Sequence, residues 1–107
     1  MTMETKETDL IVIDGFIIHI LSINKETYKL FGSETEEITF HIDMRILYLE
    51  SITYNDTTMM EQMLEALERF AFLIHAKGIY CDTSIPLCTI VYLDSHGILD
   101  RDYTVKE

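Results

Sequence analysis

A strongly apolar stretch near the start of the chain, LIVIDGFIIHIL, is interrupted by Asp14 and Gly15. It is too short for a membrane-spanning helix, which needs about 20 apolar residues, and its Ile and Val side chains favour strands. An Asp-Gly pair between apolar runs favours a two-residue hairpin turn, because Gly accepts the positive φ that a type I′ turn requires. We therefore predict strands at Leu10–Ile13 and Phe16–Ile23. Since neither flank alternates cleanly, we expect this hairpin to be covered on both faces.

The next segments continue the strand pattern. Thr27–Phe31 reads as a third strand that ends at Gly32. After a charged loop, apolar side chains occupy every second position, the period of a strand with one buried face; they are Ile38, Phe40, Ile42, Met44, Ile46 and Tyr48. Leu47 and Leu49 break the phase of this pattern. We therefore predict a bulge or bend near residues 44–47, because one extra residue reverses the direction of every later side chain.

The sequence pattern predicts a single long helix after these strands. Thr58 and Glu61 have the spacing of a capping box, with Asp56 and Thr57 as alternative N-caps. Gly78 is the expected C-terminal stop. Apolar side chains recur at helical spacing between these ends; they are Met60, Met63, Leu64, Leu67, Phe70, Ala71 and Ile74.

Beyond Gly78 the pattern predicts two more strands, Leu87–Leu93 and Ile98–Val105, joined by a turn at residues 94–97. The predicted fold class is α+β. An antiparallel sheet of six to seven strands packs on one long helix, in the order β-β-β-β(-β)-α-β-β. Residues 1–107 are expected to form a single domain, with residues 1–8 as a flexible N-terminal segment.

The charge of the chain narrows the classes of partner. Nineteen Asp and Glu against eight Lys and Arg give a formal net charge of −11. Such a surface disfavours direct nucleic-acid binding, which relies on Lys and Arg displacing counterions, and it disfavours anionic membranes. It favours a basic protein partner through long-range steering, although solubility alone is the alternative explanation. The polar N-terminus has no apolar segment typical of a secretory signal, so a cytoplasmic location is expected.

One row of side chains on the predicted helix is a candidate protein-binding site. Glu61, Glu65, Glu68, Phe72 and His75 share a stripe opposite the core, at i, i+4, i+7, i+11 and i+14. Acidic side chains around an aromatic ring are typical of a protein-binding surface. The alternative, equally weighted, is that the sheet or a terminal strand covers Phe72. The candidate surface also includes acidic residues of the loop before residue 38, namely Glu34, Glu36 and Glu37.

The sequence gives little support for chemistry. Cys81 and Cys88 are separated by too many residues for a zinc knuckle. We expect Cys88 to be a buried core residue in a strand, and Cys81 to lie in a loop. His41 and Asp43 share one face of a strand, but two metal ligands without a third are a weak site. His19 is expected to be a core histidine. We expect no cofactor, no bound metal and no enzymatic activity.

Three functional hypotheses remain open. The first is a small acidic module that inhibits or antagonises a basic protein, with nucleic-acid-handling enzymes as one class of target. In size and charge, though not in any motif, the chain is similar to immunity proteins and to phage-encoded antagonists of such enzymes, so a viral or mobile-element origin and nucleic-acid mimicry fit this hypothesis. The second is a homo-oligomeric scaffold component, for which we expect a homodimer. The third is a metal-binding or enzymatic domain.

Overall fold

The computed structural model describes residues 10–22 and 26–96, and these residues form one six-stranded sheet and two helices. In chain order the elements are β1 Leu10–Ile13, β2 Phe16–Ser22, β3 Thr27–Phe31, β4 Glu37–Asp43, β5 Ile46–Thr53, α1 Thr57–Leu73, β6 Gly78–Cys81 and α2 Leu87–Ser95. The predicted flexible segment 1–8, residue Ile23 and the predicted strand Ile98–Val105 lie outside the described residues.

The strands lie side by side in the order of the chain, from β1 to β6. The first four pairs are antiparallel, whereas β5 and β6 are parallel. α1 is the crossover connection that a parallel pair requires. The α+β class predicted from sequence is therefore confirmed. The prediction of a purely antiparallel sheet on one long helix is wrong, because the last pair is parallel and a second helix follows it.

Two hairpins turn on pairs of residues with positive φ. Asp14 (φ 52°) and Gly15 (φ 86°) join β1 to β2, as the sequence predicts. Met44 (φ 55°) and Arg45 (φ 67°) join β4 to β5 in the same way. The predicted bend near residues 44–47 is thus a complete reversal of the chain, which Met-Arg does not signal because neither residue favours positive φ. The bulge of this pair lies instead at Glu50, between two shifted registers.

The ends of α1 differ from those predicted. The N-cap is Asp56, whose Oδ1 accepts a hydrogen bond from the Met59 N–H at 2.8 Å, so the capping box at Thr58 is wrong and one of its alternatives is right. The helix ends at Leu73, five residues before Gly78. His75 adopts the left-handed conformation (φ 60°) that closes a Schellman motif. In that motif the N–H of Ala76 donates to the carbonyl of Ala71 at 2.9 Å.

The core lies between α1 and one face of the sheet, the inner face. Ile18, Leu30 and Ile38 are register partners on three neighbouring strands, and all three are fully buried. Phe40 stacks on Tyr28 at 5.3 Å between ring centroids, and Phe70 of α1 packs against both rings. From the helix, the residues that fill the same core include Met60, Met63, Leu64 and Leu67.

Among the described residues, the first hairpin is covered on one face only, contrary to the prediction. Its inner face carries the buried Ile13 and Ile18, whereas Val12 and Ile17 face the other side of the sheet and are exposed. His19, expected in the core, is exposed beside them.

The segment predicted as strand Leu87–Leu93 is helical. β-branched residues in this run favour a strand locally. Thr89 and Leu93, four residues apart, are instead both buried, and Thr89 Oγ1 donates to Met60 Sδ at 3.3 Å. This tertiary packing against α1 determines the structure of residues 87–93. The four-residue strand β6, which precedes them, was not predicted.

Candidate protein-binding surface

The acidic row of α1 lies on the side of the helix that borders α2. Glu61 and Glu65 are exposed, and Glu68 is half-buried beside His96, with 3.6 Å between Glu68 Oε1 and His96 Nδ1. The His96 ring in turn stacks on Tyr92 at 4.0 Å. Sequence patterning does not indicate Tyr92 and His96 at this surface, because it predicts a strand and a turn for their segment.

The pKa of Tyr92 is affected by the carboxylates of this row. Burial raises the pKa of its phenol, and the carboxylates of Glu65, Glu68 and Glu61 raise that pKa further. Since each carboxylate disfavours the phenolate, all three act on the same point in space. The three acids therefore form one cluster of negative potential.

Phe72 is one helical turn beyond Glu68 and is 79% exposed, whereas Phe70 is 5% exposed. Leu73 beside it is also exposed. A groove of about 470 Å³ runs past this end of the helix. Its lining residues are Glu65, Glu68, Arg69, Ala71, Phe72, Ala76, Lys77, Gly78 and Ile79. The ring lies at the end of the carboxylate row, where helical spacing places it, and the groove beside it was not predicted. The sequence leaves open whether the sheet or a terminal strand covers Phe72. Among the described residues, none covers the ring.

His75 does not continue the stripe. It lies past the end of α1 in a left-handed conformation, so the helical spacing that placed it at i+14 does not apply. Its carbonyl accepts hydrogen bonds from Arg45 Nε and Nη2 at 3.1 and 3.0 Å, which tie the β4–β5 turn to the end of α1. His75 remains exposed near the groove, but its backbone has a structural role.

The three acidic residues of the β3–β4 loop are separated from one another. Glu34 is exposed, whereas Glu36 is buried and accepts hydrogen bonds from Ser33 Oγ at 2.9 Å and from the Asn55 N–H at 3.0 Å. Glu37 pairs with Lys29 at 3.2 Å on the face of the sheet that points away from α1. The structure therefore removes Glu36 from the accessible surface, and it places Glu37 on the side opposite the acidic row.

Two basic side chains near the row, Arg69 and Arg45, are engaged elsewhere, while Lys77 lines the groove with Glu65 and Glu68. Arg69 Nε contacts Asp14 Oδ2 at 3.1 Å, which ties the first hairpin to α1. Arg45 is bound to the His75 carbonyl, as described above. Among the ion pairs of the described residues, none involves Glu61 or Glu65.

The residues considered for chemistry are dispersed. His41 Nδ1 contacts Glu50 Oε2 at 2.5 Å and its ring stacks on Tyr48, while Asp43 is exposed at the end of β4. Within residues 10–22 and 26–96, no three His, Cys, Asp or Glu side chains are grouped to hold a metal ion. The contact of His41 with Glu50 was missed because the bulge at Glu50 is invisible in the pattern.

The two cysteines have exchanged the environments predicted for them. Cys81 is buried in β6, and burial raises the pKa of its thiol from 9.0 to about 12. Cys88 is exposed on α2, with its Sγ 2.9 Å from the hydroxyl of Tyr54. Both thiols are free. The misassigned strand at residues 87–93 explains the exposure of Cys88, and the unpredicted β6 explains the burial of Cys81.

Comparison of the chain with protein-family models, with curated proteins and with solved structures gives no match. Among the described helices, none is long and apolar enough to cross a membrane.

Proposed function

We propose that the protein is a small acidic binding module that recognises a basic protein partner through the acidic row of α1 and Phe72. The observation that carries the proposal is the phenyl ring of Phe72, 79% exposed at the end of a row of three carboxylates. A solvated acidic helix face has no need of an exposed ring, whereas a binding surface uses an aromatic anchor within a polar rim.

The electrostatics support a basic partner. The net charge of −11 steers positively charged proteins toward the chain, and the row adds a local cluster of negative potential. Glu61, Glu65 and Glu68 are spaced by about 6 and 4.5 Å along the helix axis. Phosphates of one DNA strand advance about 3.4 Å per nucleotide. The spacing is comparable without being matched, so nucleic-acid mimicry extends this proposal to one class of target, the nucleic-acid-handling proteins.

In this proposal the module acts as an inhibitor or antagonist that occupies the basic surface of its target and makes no direct contact with nucleic acid. The acidic row repels phosphates for the same reason that it attracts Lys and Arg. Two free thiols fit a reducing compartment, which supports a cytoplasmic location.

The experiment separates the row from the ring. Proteins captured from a lysate at low salt are identified, and the kinetics of the captured basic protein are measured with each variant. Glu61→Lys with Glu65→Lys should slow association and flatten its salt dependence, because rim charges act mainly on the association rate. The matched control is Glu26→Lys with Asp43→Lys, which makes the same charge change at exposed positions outside the acidic row, near the β4–β5 turn.

Phe72→Ala should instead speed dissociation by roughly 30-fold, equivalent to about 2 kcal/mol, as expected for a hot-spot ring. The control is Leu87→Ala, which removes an equally exposed apolar side chain from α2. If both charge-reversal pairs slow association equally, or if Phe72→Ala leaves dissociation unchanged, the proposed site is wrong.

A further inference from the structure

The face of the sheet that points away from α1, the outer face, carries an apolar row across β1–β3, with His19 and Lys29 in the row beside it. Val12, Ile17 and Phe31 are register partners and form one row across the three strands. Val12 and Ile17 are 67% and 44% exposed, and Leu10 in the neighbouring row is 51% exposed. β-branched and aliphatic side chains on a sheet surface contribute free energy when another surface covers them.

We propose that the outer face of β1–β3 binds a second copy of this chain, face to face, in a twofold-symmetric dimer. In such an interface the same patch is used by both copies, so the row of Val12, Ile17 and Phe31 packs against its own symmetry mate. Two packed sheets cross at about 30° and lie about 10 Å apart. This interaction is separate from the proposed binding of a basic partner by α1.

The charge distribution selects a second copy as the occupant. Lys29 pairs with Glu37 on this face at 3.2 Å. The row of Val12, Ile17 and Phe31 carries no charge, and the exposed imidazole of His19 is the polar group beside it. A basic partner is attracted by the acidic row of α1 and gains little from an uncharged apolar row. The best complement of this apolar row is another neutral apolar surface, and every copy of this chain carries one.

The net charge of −11 does not prevent this contact. The carboxylates of Glu61, Glu65 and Glu68 lie on the far side of α1, behind the sheet of their own copy. With about 10 Å for each pair of packed layers, the two helices of a dimer are about 30 Å apart. That distance is several times the Debye length of about 8 Å at physiological salt, so repulsion between the helices is strongly screened.

The size of the patch predicts a reversible dimer. Strands of four, seven and five residues, at about 3.4 Å per residue and about 4.8 Å apart, offer roughly 260 Å² in projection. A standard stable interface buries about 800 Å² on each partner, so the dissociation constant should lie in the micromolar range.

Sedimentation equilibrium of the full chain over about 1–300 µM, a span around that range, tests the proposal. The wild type should pass from monomer to dimer. Val12→Lys should weaken the dimer by at least about tenfold, because it buries an unpaired charge in the interface. Ile17→Thr, which keeps a β-branched residue in the strand, should weaken it less. Val91→Lys is the matched control, since Val91 is 57% exposed on α2 and outside the patch.

Three outcomes would overturn the proposal. These are a wild-type monomer at the highest concentration, a dimer insensitive to Val12→Lys and Ile17→Thr, and a dimer that Val91→Lys weakens equally. If Val12→Lys fails to fold by circular dichroism, Ile17→Thr alone decides between the remaining results.

Salt separates this proposal from the binding of a basic partner. Raising the ionic strength should strengthen the dimer, because it screens residual repulsion between like-charged copies, and should weaken partner binding. A dimer that salt dissociates would be held by ion pairs and would contradict an apolar interface, whatever the result for the partner.

Discussion

Phe70 and Phe72 are two residues apart on α1, yet the structure predicts opposite consequences for their replacement by Ala. Phe70 is 5% exposed and packs against Tyr28 and Phe40, with both ring centroids 5.9 Å away. Removing a ring from such a core costs about 3–5 kcal/mol of unfolding free energy, through lost burial and the cavity left behind. Phe70→Ala should therefore lower stability severely.

Phe72 is 79% exposed, so only about a fifth of its surface is buried. Since full burial of a Phe side chain contributes about 1.5–3 kcal/mol, the loss is about 0.3–0.6 kcal/mol. Ala gains about 0.5 kcal/mol over Phe in helix propensity, which cancels that loss. Phe72→Ala should leave the free energy of unfolding unchanged.

Urea unfolding followed by far-ultraviolet circular dichroism gives both values under one condition. Phe70→Ala should shift the midpoint to much lower urea, and Phe72→Ala should leave the midpoint and the slope as in the wild type. A Phe72→Ala variant that loses more than about 1.5 kcal/mol would show that the ring is part of a core. The proposed binding surface would then lose its aromatic anchor, and the charge of the row would be its sole remaining support.

Three further predictions concern the backbone and the thiols. His75→Gly should raise the free energy of unfolding by about 0.5–1 kcal/mol, because Gly adopts the positive φ of this position without strain; an unchanged urea midpoint would contradict that reason. A thiol reagent at pH 8 should label Cys88 in the folded chain and both cysteines in urea, since burial holds the pKa of Cys81 at about 12. Because the folded chain keeps the Cys81 proton longer than the unfolded chain, stability should fall as pH rises from about 9 toward 12; labelling of Cys81 in the folded chain at pH 8 would refute both statements.

The two hairpins show what the sequence can and cannot predict. Asp14-Gly15 and Met44-Arg45 adopt the same left-handed turn, but only the first contains a residue that prefers positive φ. In the second hairpin the conformation is held from outside, by the two hydrogen bonds from Arg45 to the His75 carbonyl and by the Lys77 N–H, which donates to the Arg45 carbonyl at 2.7 Å. A contact between residues 30 positions apart leaves no local pattern.

The candidate site could be predicted only in part, because contacts between residues far apart in the chain leave no local pattern. Helical spacing alone puts Glu61, Glu65 and Glu68 in one row and places Phe72 at its end. The position of α2 beside that row depends on the burial of Thr89 and Leu93 against α1, which outweighs the strand preference of their neighbours. Local periodicity therefore predicts the row. It does not predict that α2 packs beside the row.

The two proposed interactions use opposite sides of the molecule and reinforce each other. A dimer formed through the outer sheet faces directs both acidic rows outward, about 30 Å apart. Each dimer then presents two copies of the Phe72 surface with a fixed separation, so a partner that is itself dimeric, or that carries two basic surfaces at this distance, binds with an affinity raised by effective concentration. Weak dimerisation and moderate binding at each row are sufficient for tight association in that arrangement. The hypotheses of an acidic antagonist and of a homo-oligomer, which the sequence presents as alternatives, are therefore compatible in this fold.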